Sequence, residues 1–232
     1  MTSFNGLNGW QIAEIRERQI CNFLDRFGFS SAKGIAMFVY SDLAYKDGLR
    51  SASRAIKRLE QKGLILKRQG YDGVNNYVNT LAGGRLGKNP RIIEDWSGVE
   101  LSTLQNVRQE KIIEKMSEYK KQGYTCVGQI GINRNFKEYA GAHALAVKGA
   151  KRIAVFYVAN SHDSKIEYIA KWYKTHKIDE VNLIANEGSD AVKNSLRKLN
   201  AWYAAEKAKL RQRADLDKAL KLDENRALVG RH

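Results

Sequence analysis

The chain has 232 residues, 43 % hydrophobic and 9 % aromatic, with 40 Lys and Arg against 25 Asp and Glu for a formal net charge of +15. That composition excludes a disordered chain and leaves room for one large or two small cores. The charge points to a polyanion, nucleic acid before an anionic membrane surface.

Cys21 and Cys126 have no CxxC partner, which supports neither a zinc ribbon nor a disulfide framework. No apolar run reaches the length of a membrane span, and the opening MTSFNGLNGW lacks a basic-then-apolar pattern. A cytoplasmic location is therefore expected, with no membrane partner.

Gly6, Asn8 and Gly9 suggest a mobile start. Residues 10–27 then carry Ile12, Ile15 or Gln19, Ile20, Phe23, Leu24 and Phe27 at helical spacing, and Gly28 ends the stripe. Ser30 and Ser31 open a second helix containing Ile35, Met37, Phe38 and Val39. Residues 41–48 form a turn or short helix.

Residues 51–62 are predicted as a helix with Ser51 as N-cap and Gly63 as the residue past its end. Ala52, Ile56 and Leu59 share one face, and Leu64 continues the core. Arg50, Arg54, Lys57 or Arg58, and Gln61 share the other. Residues 65–69 and 74–79 alternate as a hairpin around Gly70-Tyr71-Asp72-Gly73. A cationic helix followed by a cationic hairpin is the pattern of a winged helix-turn-helix.

A short helical turn covers residues 80–87. Pro90, the only proline, marks a break, and the domain boundary is expected between Gly87 and Gly98. Residues 102–122 read as a polar helix with a thin seam of Leu104, Val107, Ile112, Ile113 and Met116, either a connector packed on the second domain or a dimer helix. Then come a strand at 124–127, a helix at 139–147, a buried strand at 152–159 and a helix at 162–174 with Ile166, Ile169, Ala170 and Tyr173 inward. A strand at 181–185 and a helix at 190–209 complete the series.

The expected fold class is thus α+β or α/β: an N-terminal winged helix followed by a small α/β domain with some parallel strands. The expected division is 1–90, a connector helix at 91–123, the α/β domain at 124–210 and a charged tail at 211–232.

For Arg50, Arg54, Lys57, Arg58 and Gln61 the expectation is contact with double-stranded DNA, some to phosphate and one or two to base edges. Arginine's planar fork matches guanine O6 and N7, while lysine mainly adds charge. Ser53 is placed to reach phosphate; Ser51 is read as a cap. In the wing, Lys67, Arg68 and Arg85 suit phosphate or the minor groove. Tyr71, Asn75 and Asn76 join them as candidates, with turn chemistry as the alternative for the two asparagines. The alternative for the whole helix is a solvated charged face.

No metal or cofactor pattern is expected. Gly128-Gln129-Ile130-Gly131 lacks the spacing and terminal lysine of a phosphate loop. Acids and imidazoles after the break are Glu138, Asp163, Glu167, Asp179, Glu180, Glu187 and Asp190, with His143, His162 and His176. Glu187 and Asp190 follow a strand end, the favoured place for chemistry in an α/β sheet, but no acid-x-lysine accompanies them. Asp163 is read as a helix-start acid. An RNA-binding sheet would need paired aromatic platform residues, which are lacking.

Residues 23–86 resemble the winged-helix part of the replication-relaxation family of plasmids and mobile elements. Phe29-Ser30-Ser31-Ala32-Lys33, Ser51-Ala52-Ser53-Arg54-Ala55-Ile56-Lys57-Arg58-Leu59, Gly63-Leu64-Ile65 and the run Tyr77 to Arg85 carry the resemblance. The resemblance implies a second domain related to restriction-endonuclease-like nucleases, whose relatives hold Mg²⁺ on an acid and an acid-x-lysine of adjoining strands. Here Val155-Phe156-Tyr157-Val158-Ala159 has no carboxylate.

The expected function is a non-enzymatic, sequence-specific DNA-binding protein, a regulator or accessory factor in replication, mobilisation or transcription of a mobile element. Its α/β domain would serve self-association as a homodimer or a protein partner. The alternative is a DNA-processing nuclease.

Overall fold

The structure, a computed structural model, describes Phe4 and residues 6–70, 72–86, 102–158, 163–176 and 178–185, with Arg197 and Ala201 beyond them. The predicted domain boundary, the helix expected at 190–209 and the charged tail lie outside the described residues, apart from those two positions. The chain is mixed α/β, with seven α-helices and two sheets among the described residues.

Helix α1, Gly9–Phe27, starts on a capping box rather than the expected mobile start. The Asn8 side chain accepts from Gln11 N, and the Gln11 side chain accepts from Asn8 N, so two otherwise unpaired donors are satisfied. Strand β1, Ser30–Ser31, leads into α2, Ala32–Val39, where Ser31 Oγ accepts from Gly34 N as the N-cap.

Helix α3 runs Tyr45–Gln61 and so begins six residues before the predicted start. Ser51 lies inside it and caps nothing; the N-cap is Ala44, with no side-chain cap. The reason is packing: Gly48, Ala52 and Ala55 extend the buried stripe backward, and a Cβ on Gly48 would touch Tyr40 at 3.4 Å. Tertiary burial outweighs one serine's capping preference.

The end of α3 follows the sequence reading. Gly63 has φ +65°, Leu64 N donates to Leu59 O, and Gly63 N donates to Glu60 O. That is the Schellman arrangement, which satisfies the last carbonyls and turns the chain into β2, Ile65–Gln69. Strand β3, Asn75–Asn79, returns antiparallel with Ile65 opposite Asn79 and Gln69 opposite Asn75. β1 joins the other edge of β3, giving the order β1-β3-β2. Helix α4, Leu81–Leu86, follows.

Helix α5, Thr103–Lys121, opens on a capping box between Ser102 and Gln105. Strand β4, Thr125–Gly128, leads to α6, Gln129–Asn135, and a 3₁₀ turn, Lys137–Tyr139. The predicted helix at 139–147 does not form; its last four residues lie in β5, Ala144–Lys148. Alanine favours helix locally, but this segment is central in the sheet and pairs with neighbours on both sides. Gly141 and Gly149, at φ +100° and +58°, bracket it. Strand β6, Lys151–Val158, forms a tight hairpin with β5.

The second sheet has the order β4-β5-β6-β7, with β7 at Glu180–Ala185. Asp179 N donates to Arg152 O, so β6 and β7 start at the same end and run parallel; the other pairs are antiparallel. One hydrophobic core takes Phe23, Ile35, Ile56 and Leu59 from α1–α3, Ile112, Ile113 and Met116 from α5, and Ala146, Val155 and Tyr157 from the second sheet. Elements expected in a first domain, a connector and an α/β domain thus share it. This compact unit comprises residues 1–159 and 176–184. Residues 160–175 and 185–232 form the other unit, whose described element is α7, Asp163–Thr175. In α7 Ile169, Ala170 and Trp172 are buried, while Tyr173 is half-buried.

Candidate nucleic-acid interface

The buried face of α3 is Gly48, Ala52, Ala55, Ile56 and Leu59. With each residue turning about 100°, Lys46, Arg50, Ser53, Arg54, Lys57 and Gln61 fall within an arc of about 100° on the opposite side. All six are exposed. Lys46 escaped the sequence reading because the helix was started too late; its position four residues before Arg50 was the available signal. Ser53 Oγ donates to Leu49 O, 2.9 Å away, inside its own helix.

Arg58 is not part of this arc. Its Nε donates to Glu17 Oε1 at 2.6 Å, and Lys62 Nζ donates to Glu17 Oε2 at 2.6 Å. Glu17 is buried on α1. Burial pushes its carboxyl up, but the hydrogen bonds and charges of Lys62 and Arg58 outweigh that and hold it below the usual glutamate range. Two cations of the α3 region are thereby used to fasten α3 to α1.

The hairpin separates the wing candidates by alternation. Lys67 stands opposite Tyr77, on the side of Ile65 and Asn79, which faces α1 and α3. Tyr77 is half-buried, and its hydroxyl is held above the ordinary range by burial and by the negative charge of Glu60 on α3. Lys67 is exposed at this side. Arg68 stands opposite Asn76 on the other side and is half-buried. Asn75 is half-buried opposite Gln69.

Asn76 is buried, with its amide donating to Asn106 Oδ1 at 3.0 Å. Asn106 in turn donates to both oxygens of Asp72, at 2.9 and 3.0 Å, and holds that carboxyl below the ordinary aspartate range. The structure therefore uses Asn76 to tie the hairpin tip to α5. Arg85 is exposed on α4, which packs on α1 and β3. Tyr71 lies outside the described residues.

Among the described residues, Arg50, Arg54, Lys57 and Lys67 have no ion pair or side-chain hydrogen bond. The outward face of α5 is different: Lys111 pairs with Glu114 at 3.3 Å and Lys115 with Glu118 at 2.7 Å. That is how a solvated helix face ordinarily neutralises itself. On α3 the outward cations are left unneutralised.

The small cavity behind the hairpin, about 40 Å³, is lined by Ser30, Asp72, Asn76, Asn106 and Glu110 among others. It has room for water, not for a cofactor. Gly128 and Gly131 of the Gly-Gln-Ile-Gly run serve packing: a Cβ on Gly128 would lie 2.8 Å from Phe27 Cδ1, and one on Gly131 3.4 Å from Arg26 O. His143 Nδ1 accepts from Tyr157 N at 2.8 Å. Asp179 accepts from Arg152 N at 2.7 Å, and Glu180 pairs with Lys151 at 3.6 Å. Glu187, Asp190 and His162 lie outside the described residues. Among the described residues, no three His, Cys, Asp or Glu side chains are grouped to hold a metal ion, and no helix is long and apolar enough to cross a membrane.

No family model matches the chain, and neither a curated protein nor a solved structure matches it.

Proposed function

We propose that this protein binds double-stranded DNA through the outward face of α3 and the β2–β3 hairpin, in the manner of a winged helix-turn-helix. α2 and α3 would be the helix pair, with α3 in the major groove and the hairpin as wing. One observation carries the reading: Arg50, Arg54 and Lys57 line the side of α3 opposite its core face and lack acid partners, while Arg58 and Lys62 beside them are neutralised by Glu17. Unpaired like charges repel in the free protein and are relieved when phosphates replace their counterions. From Arg50 to Lys57 the helix rises about 10 Å, roughly three base-pair steps. Lys67 extends the positive surface onto the hairpin, and Lys46 extends it one turn earlier.

In line with the resemblance to the replication-relaxation family, the biological role proposed is regulation or assistance of replication, mobilisation or transcription on a mobile element. Binding without cutting is proposed because β5 and β6, the two central strands of the second sheet, carry no carboxylate. A second copy on an inverted half-site would double the contacts.

Selection of bound sequences from a random duplex pool by the full chain tests this. An enriched consensus is expected, and its symmetry reports the number of copies. No retention of duplex at low salt would overturn the reading. Mg²⁺-dependent nicking of plasmid DNA that disappears in Glu187→Ala would replace it with the nuclease alternative.

A further inference from the structure

Asp25 sits on α1 with its side chain turned into the protein, 3 % exposed. It faces Asn79, the last residue of β3 and also buried. The Asn79 amide nitrogen donates to Cys21 O at 2.8 Å and to Asp25 Oδ1 at 3.1 Å. Cys21 O can only accept, so it fixes which way the amide points. Both amide hydrogens are then used. Two buried oxygens remain without a hydrogen bond, Asp25 Oδ2 and Asn79 Oδ1. Two acceptors cannot satisfy each other, and a buried unpaired acceptor is costly. One proton on Oδ2 resolves both deficits, because a carboxylic acid and a primary amide pair through these four atoms.

The geometry points to an Asp25 that is protonated in the folded protein and closes a two-bond acid–amide pair with Asn79, a proton-dependent latch between α1 and the root of the hairpin. The surroundings favour the neutral acid. Cys21 and Arg26 are the ionisable neighbours on α1, and Arg134 is the charged group on α6. α4 presents Gly83, whose Cβ would lie 3.2 Å from Asn79 Oδ1, while its Arg85 is exposed. β3 presents Asn79 itself. Burial pushes the carboxyl up to about 6 against the opposing effects of the Asn79 hydrogen bond, Arg134 and Arg26.

An acid raised on folding stabilises the fold fully below its unfolded value, and that stabilisation is lost as pH rises through its folded one. The latch is therefore closed under mildly acidic conditions and loosens across neutrality. This inference is independent of what the outward face of α3 binds.

Asp25→Asn retains the four-atom pair without the titrating proton: its side chain accepts from Asn79 Nδ2 and donates to Asn79 Oδ1 at every pH. Melting of the full chain is compared at pH 5 and pH 7.5. The variant's melting temperature is expected to gain about 3–5 °C on that of wild type between pH 5 and pH 7.5, as the wild-type carboxyl loses its proton. A difference between variant and wild type that stays the same at both pH values, whatever its sign, would overturn the latch. Should the variant fail to fold, carbon-13 carboxyl shifts of aspartate-labelled wild type decide: one carboxyl with a midpoint near 6 is expected, and none above 5 refutes it.

Discussion

Arg58 reaches across from α3 to Glu17 of α1, Nε to Oε1 at 2.6 Å, a contact between residues 41 positions apart in the chain. It divides the cations at the end of α3 into those that hold the fold and those that face outward. Removing the carboxylate should therefore affect folding first. Glu17→Gln is expected to cost about 1–2 kcal/mol, discounted because Arg58 and Lys62 are half-exposed. Since the folded carboxyl lies below its ordinary value, its contribution is present above about pH 4.5 and is lost on further acidification. Wild-type melting temperature should fall steeply in that acid range, and the variant's fall should be shallower; equal slopes would disprove the assignment.

Arg54→Ala should cost roughly 1–3 kcal/mol at a selected site and relax base preference there. Lys67→Ala should weaken binding to every duplex by a similar factor and lower the salt slope by about 1. Arg68→Ala, on the other side of the hairpin, should leave the salt slope unchanged. Affinity against salt for selected and scrambled duplexes separates the three. If Arg54→Ala and Lys67→Ala both bind as wild type does, the outward face is only solvated.

Asn106→Ala removes both bonds to Asp72 and the shorter of the two bonds made by the buried amide of Asn76, leaving the one to Val74 O at 3.4 Å. Hydrogen exchange should accelerate by about tenfold in the hairpin amides, with α3 unchanged, as expected for a local opening. Acceleration spread over the whole unit would mean that the tie is a general stability element.

A fragment of residues 1–89 lacks Ile112, Ile113 and Met116, all nearly fully buried in the shared core. It should show no cooperative thermal transition by circular dichroism. Within the full chain, Ile113→Ala should cost about 2–5 kcal/mol. A fragment that melts like the intact protein would show that α1–α4 form their own core.

Gly83→Ala would place a methyl group 1.9 Å from Leu64 O, a backbone atom that cannot swing aside. Loss of at least about 2 kcal/mol is expected in denaturant titration. A neutral result would mean that α4 shifts freely against Leu64.

Much of the α3–hairpin region was legible because its signals are local. The opposition of Ala52, Ile56 and Leu59 to Arg50 and Arg54 is helical periodicity, and Gly63 and Gly73 announce their turns through positive φ. Both hairpin strands come within a residue of their expected limits. What was not legible depends on partners distant in sequence. Arg58 looks like its neighbours until Glu17 is beside it, and Asn76 looks like turn chemistry until Asn106 is. β1 is two residues long and exists only because β3 passes next to it. Residues 144–148 carry a helix-forming composition that loses to two flanking strands.

Helix α5 keeps two appointments. Asn106 meets the hairpin tip near one end, and Ile112, Ile113 and Met116 meet the core further along. One residue inserted between them would rotate one set by about 100° and advance it by about 1.5 Å relative to the other. Both contacts could not then be kept. Related chains should therefore vary in length elsewhere and keep the interval from Asn106 to Ile112 constant, a spacing that can be sought in an alignment before any partner is known.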